Sequence, residues 1–199
     1  MLALEALCPP IERAYGVKIE IWGFDTGAGL PAPVDYRDLP YIWKQGFYRM
    51  DQETLMKRLS RARLVLGDVK TTVPTFVDTY RPAPIGAAFL DLDFWSSTRD
   101  ALLLFTGPAS SMLPRVHCYC DDVISAEGGG VLSEDVGQLR AIHDYNRGSE
   151  MRKLRPVAGL TSTRAVKATW NSQIYVHHAF DHPSYATYVH DDINRQLAI

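Results

Sequence analysis

Aspartates stand at the ends of the apolar or β-branched runs of this chain. Asp25 follows Lys18-Ile-Glu-Ile-Trp22, and Asp68 follows Arg63–Leu66. Asp91 and Asp93 close the run Ile85–Leu90, and Asp121-Asp122 close Arg115–Cys120. If the runs are parallel strands, all four acidic ends collect on one sheet edge, the edge beyond which open α/β sheets bind ligands. Crowded carboxylates repel one another and hold each other's protons unless a cation or donors compensate. A hard divalent cation such as Mg²⁺, which takes oxygen ligands, supplies that compensation. One aspartate alone reads as a turn or cap residue; four at successive strand ends point to a site.

Other reactive side chains carry less. Cys118 and Cys120 flank Tyr119, and Cys8 lies far away. A strand places both thiols of Cys-x-Cys on one face, so they read as core packing. The odd cysteine count argues against a disulfide framework. His177 and His178 are adjacent and point to opposite faces of a strand, so with His182 they read as exposed or edge-strand histidines. The stretch Leu30–Met50 carries Tyr36, Tyr41, Trp43, Phe47 and Tyr48. So long a loop either covers a site or packs its own aromatics on the core.

The elements that must position these groups alternate. Leu2–Leu7 is helical, is broken at Pro9-Pro10, and resumes to Tyr15, where Gly16 ends it. A strand over Lys18–Trp22 leads to the Gly/Pro-rich loop. Asp51 caps a helix over Gln52–Arg61. A strand over Arg63–Leu66 follows, then a short helix from Thr72-Val73-Pro74. Ile85–Leu90 reads as a strand buried on both faces, and Ser96-Ser97-Thr98 as the cap of a helix through Phe105. After the strand Arg115–Cys120 come a Gly128-Gly129-Gly130 loop and a helix to about Asn146. A late strand Gln173–His178 pairs near Leu154–Val157. This order predicts a single α/β domain over 1–199: a doubly wound, mostly parallel sheet in 1–146 and a β-rich tail in 147–199.

Composition limits the function classes. The formal net charge of −2 gives no basic surplus for phosphate contacts, so no nucleic-acid partner is expected. With 46% apolar and 22% charged residues, the 199-residue chain can bury a core. No apolar run approaches the roughly 20 residues of a membrane helix, so no membrane partner is expected. The first residues lack the basic and long apolar regions of a signal peptide, which makes the cytoplasm the expected compartment. Self-association stays open.

The run Phe89-Leu-Asp-Leu-Asp-Phe-Trp-Ser-Ser-Thr-Arg-Asp-Ala-Leu102, with Val116-His-Cys-Tyr-Cys-Asp-Asp122, resembles the macrocin O-methyltransferase family of class I S-adenosylmethionine-dependent enzymes. Trp22–Pro31 is similar to that family's second-strand segment, and Leu64–Asp68 with Thr72 to its third. The resemblance covers roughly residues 1 to 146. It implies a Rossmann-like methyltransferase fold and a small-molecule substrate. It further implies that Asp91, Asp121 and Asp122 hold Mg²⁺, that Asp91 also takes the substrate proton, that Asp25 accepts from the cofactor ribose, and that Gly67 and Asp68 lie beside the adenine. Catechol O-methyltransferase has a lysine base three residues after its first metal aspartate; Phe94 stands there in this chain.

The family's first strand and Gly-rich loop have no counterpart in these residues, because Met1–Glu5 already looks like the helix that follows them. Weak or absent cofactor binding is therefore expected of this form. The resulting expectation is a Mg²⁺-assisted O-methyltransferase for a natural-product or sugar hydroxyl. The alternatives are a non-catalytic methyltransferase-like domain, or a phosphatase or glycosyltransferase built on Asp91-x-Asp93.

Overall fold

A computed structural model describes residues 1–124 and 132–189. The Gly128–Gly130 loop lies outside the described residues. Among the described residues, six strands fall into two hydrogen-bonded sheets. β1 (Trp22–Asp25) and β2 (Arg63–Leu66) form a parallel pair. β3 (Ile85–Leu90), β4 (Met112–Cys120), β6 (Ile174–Ala179) and β5 (Arg152–Pro156) form the second sheet in that order. β3 and β4 are parallel, while β6 runs antiparallel to both of its neighbours. The strands of the repeating part are thus parallel in their pairs and the tail adds two strands, as predicted; that β6 runs antiparallel to its neighbours is a feature only the structure gives. The division between the two sheets separates β1 from β3.

Helices α3 (Val69–Tyr80), α4 (Trp95–Ala101) and α5 (Gly137–Gly148) pack in sequence, α3 on α4 and α4 on α5. The main core lies between the larger sheet and these helices. Val116, Cys118, Cys120, Leu154 and Ala179 from the strands meet Leu102, Phe105 and Ala141 from the helical side, all nearly inaccessible to solvent. Cys118 and Cys120 share that face, so the thiols are core groups. Desolvation pushes the Cys118 thiol up to about 12, which makes it inert.

Local structure departs from the predicted elements where distant contacts outweigh local preference. Helix α1 (Leu2–Tyr15) runs through Pro9 and Pro10 unbroken. The Glu5 carboxylate accepts from the N–H groups of Arg61 and Ala62 at 2.7 and 2.6 Å, and Glu12 is paired with Arg61 at 2.6 Å. The helix is tied down on both sides of its prolines. The first strand lies at Trp22–Asp25 rather than Lys18–Trp22. Helix α3 begins at its cap Asp68, whose carboxylate accepts from Lys70 N–H at 2.9 Å, so Pro74 falls inside it.

β3 is not buried on both faces, since Phe89 is 60% exposed. His177 reverses the expectation of an exposed histidine. It is fully buried, stacked on Phe105 at 4.4 Å, with Nε2 2.8 Å from the Tyr145 hydroxyl. Helix α2 (Gln52–Arg58), by contrast, begins at the predicted cap Asp51, which accepts from Thr54 N–H at 3.0 Å.

Candidate metal and acceptor site

The carboxyl ends of β3 and β4 lie side by side because Leu90 pairs with Cys120. The next residues are therefore Asp91 on one strand and Asp121-Asp122 on the other. One carboxylate oxygen from each of the three lies within 4.8 Å of the others. The structure thus brings together three of the predicted residues.

Each carboxylate is set differently. Asp122 Oδ2 accepts from the Leu92 and Asp93 N–H groups at 3.1 and 2.9 Å, bracing the end of β3. Asp121 Oδ1 accepts from the Tyr119 hydroxyl at 2.7 Å and from Gln173 Nε2 at 3.1 Å. Asp91 is the exposed member. Its carboxyl is held above the ordinary range by loss of hydration and then by the charges of Asp122 and Asp121. Asp122 is also raised, mainly by desolvation, against the lowering effect of its two N–H donors.

Asp93 sits beside the cluster in a left-handed conformation, φ 55°. Phe94 N–H reaches back to the Leu92 carbonyl across it at 2.5 Å, a tight three-residue turn. Desolvation, then Asp122 and Asp91, push its carboxyl up to about 7.

The other predicted residues form a second group at the ends of β1 and β2. Asp25 Oδ1 accepts from Gly27 N–H at 2.6 Å, an Asx turn that, among the described residues, leaves its second oxygen uncommitted. The Asp25 carbonyl accepts from Gly67 N–H at 2.9 Å. Asp68 is exposed and serves as the α3 cap.

The aromatic loop is anchored from within. Asp38 is completely buried. Its carboxylate accepts from the Ser96 N–H and hydroxyl, both at 2.8 Å, and from Val34 N–H at 2.8 Å. Ser96 was expected to cap the helix itself. Instead Phe94 holds the cap position without a side-chain bond, and Asp38 satisfies the helix end from a distant loop. Arg37 lies over the Trp95 ring at 3.3 Å. Leu39 is fully buried and would touch a Cβ at Gly137, whose φ is +57°.

Beyond this anchor, Trp43 and Phe47 both pack against Tyr48, Trp43 tilted with ring centroids 5.8 Å apart and Phe47 edge-on. Gly29 presses so close to the Gly46–Phe47 backbone that no side chain would fit there. Tyr48 is 65% exposed, and its phenol is raised by desolvation and by the charges of Asp93, Asp122 and Asp91. The first part of the loop therefore packs on the core, one of the two predicted roles, while Tyr48 of its second part is exposed within electrostatic reach of the carboxylates.

Sequence reasoning missed Asp38, Gln173 and Tyr119. Tyr119 shares a strand face with Asp121, a signal that was available. Gln173 lies 52 positions from Asp121 and gave none.

No protein-family model and no curated protein sequence matches the chain. Solved structures do. The O-methyltransferase NovP superposes with a TM-score of 0.55 at 15% identity, over 84% of this chain and 63% of that one. The calicheamicin methyltransferase CalS11 superposes with a TM-score of 0.52 at 19% identity, over 89% of this chain and 65% of that one. The fold is therefore the α/β fold of these methyltransferases. The chain spans a little under two thirds of the length of either. Among the described residues no helix is long and apolar enough to cross a membrane.

Proposed function

We propose that this chain is an S-adenosylmethionine-dependent, Mg²⁺-assisted O-methyltransferase of the macrocin type, acting on a hydroxyl of a small natural product or sugar. The observation that carries the reading is the convergence of Asp91, Asp121 and Asp122 at one sheet edge of a methyltransferase fold.

The donor set fits a hard cation. Three carboxylates with oxygens inside 4.8 Å repel one another, and none has a cationic side chain bonded to it among the described residues. When bound, Mg²⁺ acidifies and orients the acceptor hydroxyl and S-adenosylmethionine supplies the methyl group.

The chain's own residues do the rest. Asp91 takes the hydroxyl proton on its carboxylate, the most exposed of the three. Asp121 and Asp122 hold the cation with the oxygens their donors leave free. Asp25 accepts from the cofactor ribose through its uncommitted oxygen, and Gly67-Asp68 flank the adenine. Trp43, Phe47 and Tyr48 exclude water and align the acceptor, which supplies much of the rate in an in-line displacement.

The division of the sheet between β1 and β3 favours a second reading, a non-catalytic methyltransferase-like binding domain. Calorimetric titration with S-adenosylhomocysteine in the presence of Mg²⁺ separates the two. With no counterpart to the family's first strand and Gly-rich loop in these residues, the transferase reading expects weak but saturable one-site binding that Asp25→Ala weakens further, by about tenfold or more. Absence of binding contradicts it and supports the second. Hydrolysis of a generic phosphate ester, abolished by Asp91→Asn, would support Asp91-x-Asp93 phosphatase chemistry instead.

A further inference from the structure

Asp121 is held by a side chain from the C-terminal tail. Gln173 ends the turn Thr169–Gln173 that leads into β6, and the pairing of Tyr119 with Ile174 sets it against the end of β4. Only 6% of Gln173 is exposed. Its Nε2 group donates to two acceptors of the same residue, the Asp121 carbonyl at 2.7 Å and Oδ1 at 3.1 Å. Tyr119 donates to that same Oδ1 at 2.7 Å.

A carboxylate turns easily about its last torsion. Here two donors converge on one oxygen, and one of them also grips the backbone. We infer that Gln173, with Tyr119, is a positioning residue that commits one oxygen of Asp121 to its donors and leaves the other presented to a divalent cation. The inference rests on the metal-site reading above. It makes the tail part of that site rather than an appendage to the repeating α/β part.

Supporting residues of this kind orient ligands before the ion arrives, and their loss typically weakens metal binding by about 10–100-fold. Mn²⁺ is the probe, with free ion counted by electron paramagnetic resonance. Gln173→Leu keeps an apolar bulk without the donor, and Tyr119→Phe removes one hydroxyl from a strand that otherwise packs unchanged. The expected result is a roughly tenfold weaker Mn²⁺ affinity in each. Metal-free thermal midpoints are measured in parallel. A merely structural role would lower the midpoint and leave the affinity of the folded protein alone.

Wild-type affinity in both folded variants overturns the inference while the metal site stands. Failure of the wild-type protein to bind Mn²⁺, or equal binding by Asp122→Asn, removes the metal-site reading and this inference with it.

Discussion

His177 and Asp93 are both titratable groups packed against the fold, and they pull the pH dependence of stability in opposite directions. Burial, followed by the nearby charge of Arg152, lowers the His177 imidazole from 6.5 to about 4. Between those values the unfolded chain carries a proton that the native state refuses. The contribution of neutral His177 is therefore complete above 6.5 and is lost as pH falls towards 4. Asp93 is raised to about 7, so its carboxyl costs stability as pH rises through the same range. The two effects oppose each other over this range, and only a variant isolates one of them. From about pH 7 to about pH 5, wild-type protein should lose roughly 2 kcal/mol relative to His177→Gln in urea unfolding. A difference that stays constant with pH would contradict this. At this scale the acidic site was legible, because an aspartate directly after an apolar run must fall at a strand end. The state of His177 was not, because alternation along a strand says which face a residue takes and not whether Phe105 and Tyr145 cover that face.

At the scale of elements, long-range ties decide where segments begin and how they are held. The Asp38 carboxylate joins the loop to the start of α4 by accepting from two N–H groups and a hydroxyl, the two Ser96 bonds buried and the Val34 bond part-buried. Asp38→Ala strands those donors and should cost about 2–4 kcal/mol, read from denaturant midpoints. It should also shift the fluorescence of Trp43 and Trp95 in the folded protein. An unchanged midpoint would contradict the anchoring role. Strands β2 and β3 and helix α2 were legible because composition and a cap mark them locally: a short β-branched or apolar run, or Asp51 before a helical stretch. Helix α1 was not, because its continuity through Pro9-Pro10 depends on Glu5 and Glu12 meeting a segment about fifty residues away.

Across the whole molecule, stability is unevenly spread. β4 is paired on both sides and carries Val116, Cys118 and Cys120 into the main core. β1 and β2 pair over four residues each and share no ladder with the larger sheet. Local opening follows such differences in contact and pairing. Native-state hydrogen exchange should therefore show β1–β2 amides opening with lower free energy than those of β4 and β6. Equal protection in both sheets would contradict that. The α/β alternation and the strands of the tail were visible in the sequence through period and strand composition, but the antiparallel direction of β6 was not. The division of the sheet in space was not, since the runs that become β1 and β3 carry no mark of which strands they will pair with.

The central claim is that Asp91, Asp121 and Asp122 form one cation site. Its most direct test is calorimetric titration of Mg²⁺ into the wild-type protein and into Asp122→Asn. The expected result is one saturable site in the wild type that the substitution abolishes. Absence of Mg²⁺ binding to the folded wild type, or equal binding by the variant, would contradict it.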